Sequence, residues 1–100
     1  MVNPIQNLNK AFNNKIRLGI MSALIVNEFL DFKSLKKLLE VTDGNLASHT
    51  SALEDLTYIR IEKSFIGKKP NTKYVITPQG RTNFQNHLDG LAEILKASTM

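Results

Sequence analysis

The segment VTDGNLASHTSALEDLTYI, from Val41 to Ile59, reads as one complete helix and decides the fold. Thr42 is a good N-cap, and Asp43 places negative charge in the first turn, where the helix dipole favours it. One stripe of the helix is apolar and is therefore predicted to pack against the rest of the chain. The stripe consists of Leu46, Leu53 and Leu56.

The opposite side of this predicted helix carries short polar side chains instead of the Lys and Glu of a typical solvated surface. These residues are Gly44, Asn45, Ser48, Ser51 and Asp55. Short side chains let a helix backbone approach another surface closely, as a helix in a DNA major groove does. Ordinary helix surfaces also show this pattern, so its interpretation depends on the flanking segments.

Length and composition indicate one globular domain over residues 1 to 100, with an ordinary 42% of hydrophobic residues. The absence of cysteine excludes a disulfide framework and a thiolate metal site. The most apolar stretch, Leu18–Val26, is far shorter than the roughly 20 residues of a membrane span, and the N-terminus lacks an apolar signal region. We therefore expect a soluble, cytoplasmic protein without a membrane partner.

The formal net charge of +4 is unevenly distributed. Residues 59 to 77 contain five basic residues and one acidic residue, Glu62, whereas residues 31 to 58 are net acidic. Such confinement of positive charge to the segment after the central helix indicates a polyanionic partner, and nucleic acid before membrane.

In the part of the chain before the helix-turn-helix, the sequence predicts one helix and a short strand. Asn14 caps the helix, which runs from Lys15 to about Asn27, and its broad apolar surface implies burial on two sides. That surface comprises Ile16, Leu18, Ile20, Met21, Ala23, Leu24 and Ile25. Phe29–Phe32 is too short and apolar for another helix and is predicted as a brief strand.

A second helix lies directly before the central one. It begins at Asp31 or Ser34 and ends near Glu40, with its leucines inward and its lysines outward. The leucines are Leu35, Leu38 and Leu39, and the lysines are Lys33, Lys36 and Lys37. The connection through Glu40 and Val41 is just long enough for a helix-turn-helix corner, in which the first helix braces the second.

After Tyr58 the hydrophobic period changes from helical to two, which predicts a β-hairpin. Ile59 and Ile61 alternate with polar residues in the first strand, and residues 74 to 76 form the return strand. The tip between the strands, from Gly67 to Thr72, is basic.

Both ends of the chain carry apolar residues at helical spacing. Pro4–Phe12 predicts a short or frayed helix, with Ile5 and Leu8 on the side of Phe12. Pro78 opens a last helix, whose seam at intervals of four, three and four is typical of a coiled coil. The seam consists of Phe84, Leu88, Leu91 and Leu95. Because 100 residues cannot easily bury this seam, residues 78 to 100, with residues 1 to 13, are predicted to form a homodimer interface.

The order of these elements resembles a small MarR/ArsR-type winged helix-turn-helix transcriptional regulator. The segments that carry the resemblance are NKIRLGIMSAL (Asn14–Leu24), DFKSLKKLLEVTDGNLASHTSALEDLTYI (Asp31–Ile59) and KSFIGKKPNTKYVITPQGR (Lys63–Arg81). The resemblance implies a mainly α fold with a small hairpin wing, a C-terminal dimerisation helix, and double-stranded DNA as partner. It places the central helix in the major groove and the wing on the backbone or minor groove. The DNA contacts expected are Thr42, Gly44, Asn45, Ser48, His49 and Ser51 on the helix, and Lys63, Lys68, Lys69, Asn71 and Lys73 on the wing.

The chain departs from the family pattern in three ways. Thr57 stands where the family commonly has Gly, and Thr50 stands where it commonly has Leu. No Arg or Lys lies between Gly44 and Tyr58, although bidentate Arg to guanine is the commonest specific base contact. Base recognition would therefore depend on Asn45, Ser48, Ser51 and His49, which predicts modest specificity aided by DNA shape.

Three features also have a plainer interpretation. His49 can pack at the edge of its helix and bond nearby backbone. Lys68 and Lys69 can be solvated protection of a sheet edge. The seam of the last helix can lie within the core of the monomer.

The sequence argues against an enzyme, a cofactor and a metal site. It has no paired-carboxylate site, nucleophile motif or phosphate-binding glycine loop, and His87 with Asp89 and Glu93 makes a poor zinc set. The competing function is a winged helix that binds another protein, which the acidic residues of the central helix would tolerate. The sequence does not reveal the operator, the direction of regulation or any small-molecule effector.

Overall fold

The computed structural model describes residues 4 to 98 and combines four α-helices with a three-stranded antiparallel sheet. Two 3-10 helices, Pro4–Asn7 and Lys10–Phe12, precede the first α-helix. The α-helices are α1 (Lys15–Ile25), α2 (Phe32–Leu39), α3 (Asp43–Asp55) and α4 (Pro78–Ser98), and the strands are β1 (Leu30–Asp31), β2 (Ile59–Ile66) and β3 (Lys69–Ile76). This order confirms the predicted winged helix, and residues 1 to 3, 99 and 100 of the predicted termini lie outside the described residues.

Side-chain caps fix the starts of the first three α-helices. The Oδ1 of Asn14 accepts hydrogen bonds from the backbone N–H groups of Ile16 and Arg17, at 2.9 and 3.1 Å, as predicted. Asp31, rather than Ser34, caps α2 by accepting a 2.8 Å hydrogen bond from the Ser34 N–H, and this bond lowers the pKa of the Asp31 carboxyl. Thr42 accepts a 3.1 Å bond from the third residue of α3 and so confirms its predicted cap.

The corner between α2 and α3 is tight. Glu40 turns the chain with a left-handed backbone conformation at φ 52°, and the Val41 N–H bonds the Lys36 carbonyl at 3.4 Å. Across the corner, the Nζ of Lys36 lies 2.6 Å from a carboxylate oxygen of Asp43. The two helices therefore form the predicted helix-turn-helix, and α2 fixes the position at which α3 begins.

Two backbone hydrogen bonds, donated by the residues that follow α3 to carbonyls of its last turn, close the end of the helix. The N–H of Tyr58 bonds the Leu53 carbonyl at 3.0 Å, and the N–H of Thr57 bonds the Glu54 carbonyl at 2.8 Å. This is a Schellman motif, which requires a left-handed residue, and Thr57 supplies it at φ 66°. A β-branched residue is strained in that conformation, so the turn into the wing is made at some cost in stability.

The wing is the hairpin of β2 and β3, and it is longer than the sequence predicted. Ile66 pairs with Lys69, so the strands are joined by only two residues, and Gly67 provides the positive φ of 64° that such a turn needs. The predicted broad tip up to Thr72 is therefore wrong, because Lys69 to Thr72 already belong to β3. Leu30 pairs with Tyr74, which makes β3 the middle strand.

The core lies between the four α-helices and the base of the sheet. Its fully buried side chains come from every α-helix and from β2, and they include Ile20, Met21, Leu24, Leu35, Leu46, Leu53, Ile59 and Phe84. Two predicted core leucines are exceptions, since Leu38 is 61% exposed and Leu56 is 42% exposed. Both lie at the C-terminal end of a helix, where no neighbouring element of residues 4 to 98 fully covers the side chain.

An aromatic cluster joins the N-terminal segment to α4. The ring of Phe12 packs edge-on against Phe84 at 5.1 Å and against His87 at 5.2 Å between centroids, and it lies 5.5 Å from Tyr58. The Asn9 side chain donates a 2.9 Å hydrogen bond to the Tyr58 hydroxyl. Phe12 and Phe84 are therefore core residues of the protomer, and their predicted place in a dimer interface is wrong.

Candidate nucleic-acid interface

The outer surface of α3 is short-chained and open, as its sequence predicted. Gly44, Asn45, Ser48 and Ser51 are all exposed, and a Cβ built on Gly44 would meet no atom within 4 Å. Within residues 4 to 98, the side chains of Asn45 and Ser48 form no hydrogen bond, so their polar groups are available to a partner. Nothing bulky separates the helix backbone from a surface placed against it.

The buried side of α3 contains one polar residue, Thr50, which is 2% exposed. Its hydroxyl donates a 2.8 Å hydrogen bond to the Leu46 carbonyl one turn earlier, so burial does not leave it unpaired. Tyr74 lines the same groove as Thr50, and burial raises the pKa of its phenol. The threonine at this position therefore replaces an apolar residue without opening the core.

A cation from α1 lies beside α3. The Nε of Arg17 donates a 3.1 Å hydrogen bond to the Nδ1 of His49, and both side chains are partly buried. The sequence-based alternative for His49, a bond to nearby backbone, is replaced by this side-chain bond. Arg17 was absent from the predicted site, because its partner lies 32 residues away along the chain.

The acidic residues of α3 are in different environments. Asp43 is paired with Lys36 at 2.6 Å, although both side chains are largely exposed and the pair adds little stability. Glu54 accepts a 3.3 Å hydrogen bond from the Ile61 N–H, which ties α3 to β2. The negative charge of Asp43 at the start of α3 is thus neutralised, and the carboxylate of Glu54 holds the wing.

The wing lysines occupy two different places. Lys68 and Lys69 are exposed at the two-residue turn, and Lys63 lies farther down β2, across a groove from Ser51 of α3. Lys73 instead lies at the base of the wing, with its Nζ 4.4 Å above the ring of Phe29. Asn71, a neutral residue, is half-buried in β3. The exposed cations at the tip are Lys68 and Lys69.

The predicted seam of α4 divides into two parts. Phe84 is fully buried and Leu88 is half-buried against the core, whereas Leu91 is 38% exposed and Leu95 is 66% exposed. A Cβ on Gly90 would lie 3.1 Å from the Pro4 carbonyl, so the N-terminal segment packs directly on this helix. Only the C-terminal half of the seam has apolar surface to offer a second chain.

His87, the second histidine, is buried in the aromatic cluster. It is 4% exposed, and its Nδ1 accepts a 3.0 Å hydrogen bond from the Asn9 N–H. Burial lowers the pKa of the imidazole. His87 is therefore a neutral core residue that anchors the N-terminal segment to α4.

Residues 4 to 98 lack two further kinds of feature. In that range no three side chains of the His, Cys, Asp and Glu types are grouped as metal ligands would be. None of the helices there is both long enough and apolar enough to cross a membrane.

A family model described as a winged helix DNA-binding domain matches residues 16 to 95, which is most of the chain. The match begins at the first turn of α1 and ends in α4, so it includes the helix-turn-helix and the whole wing.

Relatives and solved structures agree with that match. An uncharacterized protein of Methanocaldococcus jannaschii is 34% identical over 87 residues, covering 87% of this chain and 95% of that protein. The structure of a transcriptional regulator homologue protein from Pyrococcus horikoshii OT3 is 28% identical with a TM-score of 0.87, covering 99% of this chain and 100% of that one. Sco3205, a MarR family transcriptional regulator of Streptomyces coelicolor solved in complex with DNA, has a TM-score of 0.68 at 17% identity, covering 90% of this chain and 63% of that one. This last likeness is one of fold alone.

Proposed function

The chain belongs to the family of winged helix DNA-binding domains, and from this premise we propose that it is a homodimeric transcriptional regulator of double-stranded DNA. In this proposal the whole of residues 1 to 100 is one such domain, acting in the cytoplasm. The observation that carries the proposal is the open surface of α3 with its short side chains, which has the partly buried Arg17 on one side and the exposed Lys63 on the other.

We place the first two turns of α3 in the major groove. Asn45 and Ser48 are exposed there, and their side chains are short enough for the helix backbone to approach the base edges. Asn pairs well with adenine, whereas the Ser hydroxyl can bond to donor or acceptor groups on the base edges. We therefore expect α3 to contribute moderate base discrimination. Further contacts on the same surface come from Thr42, Gly44 and Ser51.

Arg17 supplies the cation that α3 lacks. Its Nε is occupied by His49, which leaves the two terminal nitrogens of the guanidinium for a bidentate contact with phosphate. This guanidinium lies on the α1 side of α3, and Lys63 lies on the wing side. The two cations can therefore contact the phosphates on both sides of the DNA major groove.

The wing contributes affinity without base recognition. Lys68 and Lys69 project at the tip, and a lysine ammonium contacts phosphate as a point charge. Lys73 has a different role, because its ammonium lies over Phe29 at the base of the sheet. We therefore assign Lys73 to the support of the wing and the tip lysines to DNA.

A homodimer completes the proposal, because one recognition helix covers only a few base pairs. The exposed surface available for pairing is the C-terminal half of α4, where Leu91 and Leu95 project. Two copies related by a two-fold axis place their recognition helices in successive major grooves about 34 Å apart.

The experiment that tests this function is a selection of bound duplexes from random sequence, followed by salt titration on a selected duplex. We expect log affinity to fall steeply with log salt, and the double variant Lys68→Ala with Lys69→Ala to flatten the slope by about one unit per lost phosphate contact. Lys10→Ala is a matched control, since Lys10 lies beside Asn83 and Asn86 of α4.

Two outcomes would contradict the proposal. If no duplex is enriched and no salt-dependent binding is measured, the competing function as a protein-binding winged helix takes its place. If the wing double variant binds with an unchanged salt slope, the wing is not a DNA contact.

A further inference from the structure

The tip of the wing carries two large apolar side chains in open solvent. Phe65 is 73% exposed and Ile66 is 67% exposed, and they are adjacent at the end of β2. Single exposed apolar residues are common on protein surfaces, but two of this size at the end of a projecting hairpin require an explanation.

These side chains are well separated from the core. Ile61 is the last partly buried residue of β2, and every residue from Glu62 to Pro70 is exposed. At about 3.3 Å per residue, the stretch from Glu62 to Ile66 projects roughly 16 Å beyond the packed part of the sheet. The packing of the protomer therefore does not explain why the tip is apolar.

The charge around the tip identifies the kind of partner. The segment from Lys63 to Lys73 contains four lysines and no acidic residue. A partner must therefore be anionic on its outside and apolar within. The minor groove of DNA has this construction, because phosphates line its walls and stacked bases lie at its floor.

The dimensions of the tip agree with this partner. Paired strands lie about 4.8 Å apart, and the turn that joins them consists of Gly67 and Lys68 alone. The minor groove is about 6 Å wide and about 7.5 Å deep. Because about 4.8 Å separates the strand axes, the paired strands with their atoms are wider than this groove, and side chains at the narrow end of the hairpin are what can enter it.

Strand alternation selects Phe65 over Ile66 as the residue that faces the DNA. Phe65 shares its side of β2 with Ile61 and Lys63, both of which line the groove facing α3. Ile66 lies on the other side, where it lines a separate groove near Lys33 and the start of α2. Of the two exposed apolar residues at the tip, Phe65 is the one that lies on the same side of the wing as α3.

We propose that Phe65 is a wedge that inserts between two base pairs of the minor groove and bends the bound duplex. An inserted aromatic ring unstacks one base step and kinks the duplex toward the major groove. Steps of pyrimidine followed by purine unstack most easily, so the wing selects sequence through deformability at that position. This inference rests on the proposed function, because it requires the wing to lie on DNA.

The test uses a selected duplex with 2-aminopurine at the step beneath the wing and a dye at each end. We expect the wild-type chain to raise the 2-aminopurine fluorescence and to shorten the distance between the ends. Phe65→Ala should abolish both signals and lower affinity about tenfold, with an unchanged salt slope because no charge is removed. Ile66→Ala is the matched control, since it removes a similar exposed side chain from the other side of the wing and should retain both signals.

Each part of this experiment has an outcome that overturns the inference. If the wild-type chain binds with a normal salt slope but changes neither fluorescence nor end-to-end distance, Phe65 is not a wedge and the proposed function stands. If no duplex is bound in a salt-dependent way, the proposed function itself fails. If Phe65→Ala leaves DNA bending intact and instead abolishes binding to vesicles of phosphatidylcholine and phosphatidylserine, the tip is a membrane contact.

Discussion

The Nε of Arg17 lies 3.1 Å from the Nδ1 of His49 and donates a hydrogen bond to it. This bond connects the first turn of α1 with the middle of α3 and holds a guanidinium beside a helix that has no Arg or Lys. A guanidinium remains charged at all physiological pH values and forms bidentate bonds with phosphate. In the proposed function, His49 orients this guanidinium toward DNA phosphate along α3.

We predict that Arg17→Ala weakens binding to every duplex about tenfold and reduces the salt slope by about one unit, because one phosphate contact is lost. His49→Ala should cause a smaller loss at an unchanged slope, since the charge remains but its orientation does not. Lys10→Ala, the charge-matched control beside α4, should bind like the wild-type chain. Equal losses for Arg17→Ala and Lys10→Ala would show that only net charge matters.

Asn45 is predicted to carry base discrimination. Asn45→Ala should cost about 1 to 3 kcal/mol at one base position of the selected site and little on random DNA, as measured by competition with single-base variants. Leu53→Ala is the control for indirect effects, because Leu53 is fully buried beneath α3 and its loss should reduce stability by roughly 2 to 5 kcal/mol. A loss for Asn45→Ala that is equal on all duplexes would make this residue a phosphate contact.

The order of the elements and most of their starts could be predicted because the signals are local. A cap such as Asn14 or Thr42 acts within three residues, and the change of hydrophobic period at Tyr58 is visible in a short window. The outer surface of α3 could be predicted for the same reason, since one helical stripe determines which residues are opposite.

The remaining features depend on contacts between distant parts of the chain. Phe84 fits a coiled-coil seam in sequence, and only the packing of Phe12 against it shows that it is buried within the protomer. The bond between Arg17 and His49 joins positions 32 residues apart and has no sequence pattern. Helical periodicity also cannot tell where a neighbouring element ends, which is why Leu38 was wrongly placed in the core.

Gly80 of α4 packs against the backbone of Tyr58, in the turn between α3 and the wing. This position is predicted to tolerate no side chain. A Cβ at this position would lie 1.9 Å from the carbonyl oxygen of Tyr58, which also accepts a 3.1 Å hydrogen bond from the Thr77 N–H. Because backbone cannot move aside as a side chain does, Gly80→Ala should reduce the free energy of unfolding in urea by about 3 kcal/mol.

Gly44→Ala is the comparison for that experiment. Gly44 is exposed in α3 with no atom within 4 Å of a new Cβ, so alanine should raise stability by roughly 0.5 to 1 kcal/mol. If the two glycine variants shift the urea midpoint equally, the close approach of α4 to Tyr58 does not exist in solution.

Stability is predicted to decrease in mild acid because of His87. Burial lowers the pKa of this imidazole from its ordinary value of 6.5, so the unfolded chain binds a proton more readily than the folded chain. The contribution is complete above pH 6.5 and is lost as the pH falls from 6.5 toward the lowered pKa of the folded state. Protonation of Nδ1 would also remove the bond that it accepts from Asn9.

Urea unfolding on either side of pH 6.5 measures this effect. His87→Phe should remove the dependence in that window, because an aromatic ring remains against Phe12 and Phe84 without a titrating group. Asp31, whose pKa is also lowered, contributes only below its ordinary value of 3.8 and does not interfere. A wild-type chain as stable below as above pH 6.5 would contradict the prediction.

The last prediction concerns the C-terminal half of α4 as a dimer interface. Leu95 is 66% exposed and Leu91 is 38% exposed, so Leu95→Asp and Leu91→Asp leave the core of the protomer in place. In a dimer that pairs these surfaces, the new carboxylate would be buried without a partner at a cost of several kcal/mol. Both variants should therefore sediment as folded monomers with unchanged helical circular dichroism, and they should bind the selected duplex much more weakly. Val26→Asp is the matched control, because Val26 is 78% exposed at the end of α1 and its substitution should leave a dimer intact. If Leu95→Asp and Leu91→Asp remain dimeric, the interface lies elsewhere.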